Sequence, residues 1–132
     1  MIGKIKIEPN KHKPEVILDP TANTINFSGV SLPEDAMEFF FPILNWLNDY
    51  YSICDEKIKD NVTLKASFKL FYYNTASHRA FLEIFRVLKR MKEKGLKIHV
   101  DWYYEKDDIN MYENGTELAE MAELDPNYIE TE

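Results

Sequence analysis

Hydrophobic residues recur along this chain with two periods, and the switches between them mark out its elements. Residues 62–73, VTLKASFKLFYY, alternate strictly: Val62, Leu64, Ala66, Phe68, Leu70 and Tyr72 lie on one side, Thr63, Lys65, Ser67 and Lys69 on the other. That pattern predicts a strand with one buried face. ASHRAFLEIFRVLKRMKEKG follows with helical spacing: Phe81, Ile84, Phe85, Leu88 and Met91 form a stripe that Gly95 ends. LKIHVDWYY, residues 96–104, returns to alternation and predicts another strand.

Earlier in the chain, KIKIE suits an edge strand. PEVILD (14–19) and TINFSG (24–29) predict two short strands joined by a turn, hence a hairpin. SLPEDAMEFFFPILNWLNDYY then predicts a helix. Ser31 and Glu34 have capping-box spacing, Pro33 suits a first turn, and Met37, Phe40, Phe41, Leu44, Leu47 and Tyr51 form its apolar face. Pro42 should kink it. A last helix is expected from about Asp107 to Glu123. Helical crossovers make the later strands parallel. The lysines on the alternating strands predict one partly open sheet face. The expected fold class is α/β. A single domain at 1–124 has an N-terminal β-hairpin leading into a mixed four- to five-stranded sheet, with helices mainly on one face. An acidic tail at 125–132 is expected to be disordered.

Composition narrows the function classes. The 132 residues are 45% hydrophobic and 14% aromatic, enough for one core without metal or disulfide staples. Cys54 is a lone cysteine, which favours a reducing, cytoplasmic setting. The opening MIGKIKIEPNKHK has no apolar signal-peptide core, and no stretch is long and apolar enough to span a membrane. The net charge of -7 disfavours a nucleic-acid partner. From Asp101 onward Lys106 is the one base among many acids. These acids suit either a solvated surface or a dock for a basic partner patch.

Functional loops of such a sheet gather at the carboxyl ends of its parallel strands. Those segments are 29–34, 74–77 and 104–108. Thr75 falls at an N-cap or in a first helical turn, beside free backbone N–H groups. Asn74 could hold the same cap. His12, His78 and His99 share no metal-ligand spacing, and no nucleotide or hydrolase motif occurs. Ser77 and His78 are adjacent, so on a helix their side chains point apart. Asp101, Asp107 and Asp108, with Glu34, could bind a cation, or the acids could simply complement a helix dipole.

Three segments together carry a resemblance: G-V-S-L-P-E at 29–34 before a Phe-rich helix with Pro42 and Trp46, L-F-Y-Y-N-T-A-S at 70–77, and V-D-W-Y-Y-E-K-D-D at 100–108. In these the chain resembles the SiaC family of bacterial regulatory phosphoproteins. The likeness runs from the N-terminal strand to about Glu113. Ala76 stands where the family typically has Ser in N-T-S-S, a departure that bears on kinase recognition. The resemblance implies a STAS-like fold and partner switching without enzymatic activity, cofactor, metal or membrane. A GHKL-type kinase would phosphorylate Thr75 and a PP2C-type phosphatase would reverse it. The unphosphorylated form would bind a target, in the best-known branch a GGDEF diguanylate cyclase acting in biofilm control through cyclic-di-GMP. Asn74, Ser77, Ser31, Pro33, Glu34, Asp107 and Asp108 are the expected partner-binding residues. Rival expectations are an anti-sigma-factor antagonist of the STAS class, a small metal- or ligand-binding protein using Asp101, Asp107 and Asp108, and a scaffold in which Thr75 only caps a helix.

Overall fold

The computed structural model describes residues 2–132. Strands β1 (Ile5–Ile7), β2 (Glu15–Asp19) and β3 (Thr24–Ser31) precede helices α1 (Ala36–Ser52) and α2 (Cys54–Lys59). Then come β4 (Thr63–Tyr73), α3 (Thr75–Lys94), β5 (Lys97–Glu105), α4 (Ile109–Ala122) and β6 (Asn127–Thr131). The strands lie side by side in chain order, β1 to β6. β1–β2 and β2–β3 are antiparallel, and the three later pairs are parallel. This is the expected α/β domain with a mixed sheet.

Chain order explains the layering. Every crossover steps the same way across the sheet, so crossovers of one hand put their helices on one face. There α1 packs on α3 and α3 on α4. Burial follows: Leu64, Ala66, Phe68 and Leu70 of β4 are buried, whereas Thr63, Lys65 and Lys69 are exposed. Phe68 centres the core. Its ring stacks on Phe27 at 5.3 Å and lies 5.1 Å from Phe85 and 5.7 Å from Trp102. Burying one such side chain contributes roughly 1.5–3 kcal/mol.

Five expectations are corrected. The sheet has six strands rather than four or five, and the tail expected to be disordered supplies the sixth. Residues 127–131 pair with 101–105, and Tyr128 packs on Tyr112 at 5.2 Å. A ladder is built from main-chain groups, which acidic side chains pointing to solvent do not disturb. The cap of α1 is Asp35, whose side chain accepts from Glu38 N at 3.0 Å. Ser31 instead ends β3 and is buried, as is Pro33. The buried face of α1 comprises Phe40, Ile43, Trp46, Leu47 and Tyr50, which leaves Met37 and Phe41 exposed. Finally, the alternation of β4 breaks at Phe71. Gly29 pairs with Leu70 but Val30 pairs with Tyr72, so Phe71 is an extra residue. The slip reverses the phase: Tyr72 turns outward and Tyr73 turns into the core.

Candidate functional site

The bulge fixes how β4 hands over to α3. Gly29 opposite it has φ +110, a conformation that glycine adopts without penalty. After the bulge, Asn74 N donates to Ser31 O at 3.2 Å, which ties the start of α3 to the end of β3. Ser77 Oγ donates to Ser31 O at 3.0 Å, and the two hydroxyls meet at 2.9 Å. Both serines are fully buried.

Asn74 is the N-cap of α3, its Oδ1 accepting from Ser77 N at 2.9 Å. Thr75 is therefore the first helical residue, and it is exposed. The cap needs nothing from its hydroxyl. The amides of Thr75 and Ala76 belong to the first turn, where a helix provides no acceptor of its own. Thr75 opens onto a cavity of about 240 Å³ lined by Tyr73, Asn74, His78, Asn114 and Glu117. Tyr73 OH lies 2.8 Å from His78 Nδ1, and His78 Nε2 lies 3.3 Å from Glu117 Oε1. Burial raises the Tyr73 phenol above its ordinary range, and the Glu117 carboxylate acts in the same direction.

On its other side the start of α3 borders an apolar groove between α1 and α3. The groove holds about 370 Å³ and is lined by Met37, Phe40, Phe41, Ala76 and Arg79 among others. Met37 is 85% exposed and Phe41 66%.

The residues expected around Thr75 divide into three groups. Asn74 and Thr75 are together at the first turn of α3. Ser31 and Ser77 are fully buried, so they shape the loop from beneath and offer a partner no surface, while the largely buried Pro33 lines a cavity away from Thr75. Glu34 lines a different cavity with Lys13, Asp35 and Glu38, and Asp107 and Asp108 line another with Tyr104, Ile109 and Tyr112. Asp108 caps α4, accepting from Met111 N at 3.1 Å. The ionisable side chains facing Thr75 are instead His78 and Glu117, which sequence reasoning missed. His78 carries a signal in its spacing, since it lies three residues beyond Thr75 on one helix face. Glu117 is brought in from α4 by the fold. Asp101 pairs with His99 at 3.0 Å on the open sheet face, away from Asp107 and Asp108. Among the described residues no three His, Cys, Asp or Glu side chains converge on a metal position. No helix among them is long and apolar enough to cross a membrane.

The chain is 22% identical over 119 residues to an uncharacterized protein of Pseudomonas aeruginosa, covering 90% of each. Its fold is similar to that of apo-SiaC from Pseudomonas aeruginosa, with TM-score 0.79, 22% identity, and 98% of this chain and 99% of that one covered. It is also similar to a chain in the structure of the diguanylate cyclase SiaD in complex with its activator SiaC, from the same organism. There the TM-score is 0.84 at 20% identity, with 96% of this chain and 99% of that one covered. The model of the SiaC family regulatory phosphoproteins matches residues 7–131, and this chain belongs to that family.

Proposed function

We propose that this chain is a non-enzymatic, cytoplasmic partner-switching protein written on at Thr75. A GHKL-type kinase adds the phosphate, a PP2C-type phosphatase removes it, and the unphosphorylated form binds and regulates a diguanylate cyclase. The observation that carries this is the contrast between two hydroxyls two residues apart in the first turn of α3. Thr75 is exposed and free of structural duty, whereas Ser77 is fully buried and bonded to Ser31. Family membership and the likeness to a chain in the structure of SiaD with its activator SiaC support a cyclase as the target.

Phosphorylation adds about 1.5 to 2 negative charges and three acceptor oxygens. At a helix N-terminus the dipole favours an anion by roughly 0.3–1 kcal/mol, so the domain stays folded. A target that covers Thr75 as a neutral hydroxyl would have to bury the phosphate, at a cost of several kcal/mol. Each ~1.4 kcal/mol is tenfold in affinity. The switch therefore acts at the docking surface, which on this proposal runs from Thr75 along the groove bounded by Met37 and Phe41.

The test uses a purified GHKL-type kinase and a diguanylate cyclase as reaction partners. Peptide mapping after the kinase reaction should place the phosphate on Thr75 and leave Thr75→Ala unmodified. Calorimetry should show the phosphorylated protein binding the cyclase at least about tenfold more weakly. Modification elsewhere, or equal affinities of both forms, would reject the proposal.

A further inference from the structure

Three side chains from three elements form a line beside Thr75. Tyr73 ends β4, His78 stands one turn into α3, and Glu117 lies on α4. The Tyr73 hydroxyl and His78 Nδ1 are 2.8 Å apart, and their rings stack at 5.6 Å. His78 Nε2 faces Glu117 Oε1 at 3.3 Å. The line runs outward from the core: Tyr73 is buried, the His78 side chain is 20% exposed and that of Glu117 is 61% exposed.

Thr75 and His78 share a helix face and open on the same cavity. Asn74 and Thr75 face it from α3, Tyr73 from β4, and Asn114 and Glu117 from α4. His78 is the one basic side chain lining it. Arg79, the next base along α3, lines the apolar groove on the other side.

We infer that His78 receives the phosphate on Thr75, exchanging its contact with Glu117 for one with the phosphate and so passing the modification on to α4. This rests on Thr75 being the phosphoacceptor. Nδ1 is engaged by Tyr73, which leaves Nε2 for a single anion. Glu117 offers one charge from a largely solvated side chain, and such a pair is weak. A phosphate offers about 1.5 to 2 charges and three oxygens to the same nitrogen. Both anions cannot stay in so small a cavity without repulsion. Glu117, being mostly exposed, has solvent to turn into. The link that the His78–Glu117 pair makes between α3 and α4 is then lost when Thr75 is modified.

The experiment installs phosphothreonine at position 75 by genetic encoding, so no kinase is needed, and follows the phosphate's second ionisation by phosphorus NMR. In the wild-type background this ionisation should fall below the usual value of about 6. His78→Gln should return it upward by about 0.5 pH unit or more, and Arg79→Gln should not. Glu117→Gln, a change at an exposed position that leaves folding intact, should not move it, because Glu117 has already left. A phosphate indifferent to His78→Gln, or one whose ionisation drops clearly in Glu117→Gln, overturns the exchange. A kinase that ignores Thr75 would sink the phosphoacceptor assignment without touching this measurement, so the two failures are distinct.

Discussion

The hydroxyls of Ser31 and Ser77 meet at 2.9 Å in the interior, joining the end of β3 to the first turn of α3. Ser77 Oγ also donates to Ser31 O, so the Ser31 hydroxyl is left to donate to Ser77. Removing one member strands a buried polar group, at about 1–3 kcal/mol. Ser77→Ala should therefore lower stability by about that amount in urea denaturation. Ser31→Ala combined with Ser77→Ala should cost less than the sum of the single changes, because the pair is lost together. Strict additivity would show that the two hydroxyls are not coupled.

Asn74 and Thr75 are neighbours with separate duties. Asn74 holds the cap of α3, so Asn74→Ala should cost about 0.5–2 kcal/mol. Thr75→Ala removes an exposed hydroxyl and should stay within about 0.5 kcal/mol of wild type. Urea midpoints measured side by side test this. A loss at Thr75 as large as that at Asn74 would make Thr75 structural.

Local pattern made the elements legible where it was strong. The period of β4, the stripe of α3 and the turn at Asn74 all follow from residues close in sequence. What escaped depends on distant pairing. The bulge at Phe71 is set by how β4 meets Gly29 of β3, and nothing within 62–73 announces it. In α1 almost every position from Met37 to Leu44 is apolar, so its pattern did not fix the buried face; packing against α3 did. β6 looked like an acidic tail because the edge of β5 that completes it lies 26 residues earlier, as in Asp101 with Asn127. At the site Thr75 was legible, while the His78–Glu117 contact spans 39 residues and was not.

Gly115 sits inside α4, where glycine costs about 1 kcal/mol relative to alanine. Its place is explained by Trp102. The indole Nε1 donates to Met111 O at 2.9 Å, and the ring lies where a Cβ on Gly115 would be. Trp102 is fully buried and cannot retreat. Gly115→Ala should therefore destabilise by about 1–3 kcal/mol in spite of its better helix propensity. A rise in urea midpoint would mean that the indole moves aside freely.

Phe41 tests the docking surface independently of phosphate. It is 66% exposed, so Phe41→Asp should leave the thermal midpoint within a few degrees of wild type. On the proposed surface it should weaken cyclase binding about tenfold or more, as loss of an apolar anchor does. Unchanged affinity with an intact fold would move the docking surface away from the groove.

Two tyrosines make alkaline stability informative. Burial holds the phenols of Tyr50 and Tyr73 above the ordinary 10.0, reinforced by Cys54 at Tyr50 and by Glu117 at Tyr73. Above pH ~10 the unfolded chain releases these protons while the folded chain retains them. The unfolded state then binds fewer protons, and stability falls as pH rises. Their contribution is fully present below pH ~10 and is lost progressively above it. Tyr50→Phe removes one of the two groups and also the 2.8 Å bond to Asn23 Oδ1. It should be less stable than wild type at pH 7 by about 0.5–1.5 kcal/mol. It should also decline less steeply between pH 10 and 11, so the two stability curves converge. Urea midpoints across this range decide the matter, and curves that stay parallel would mean that the Tyr50 phenol ionises alike in the folded and unfolded chain.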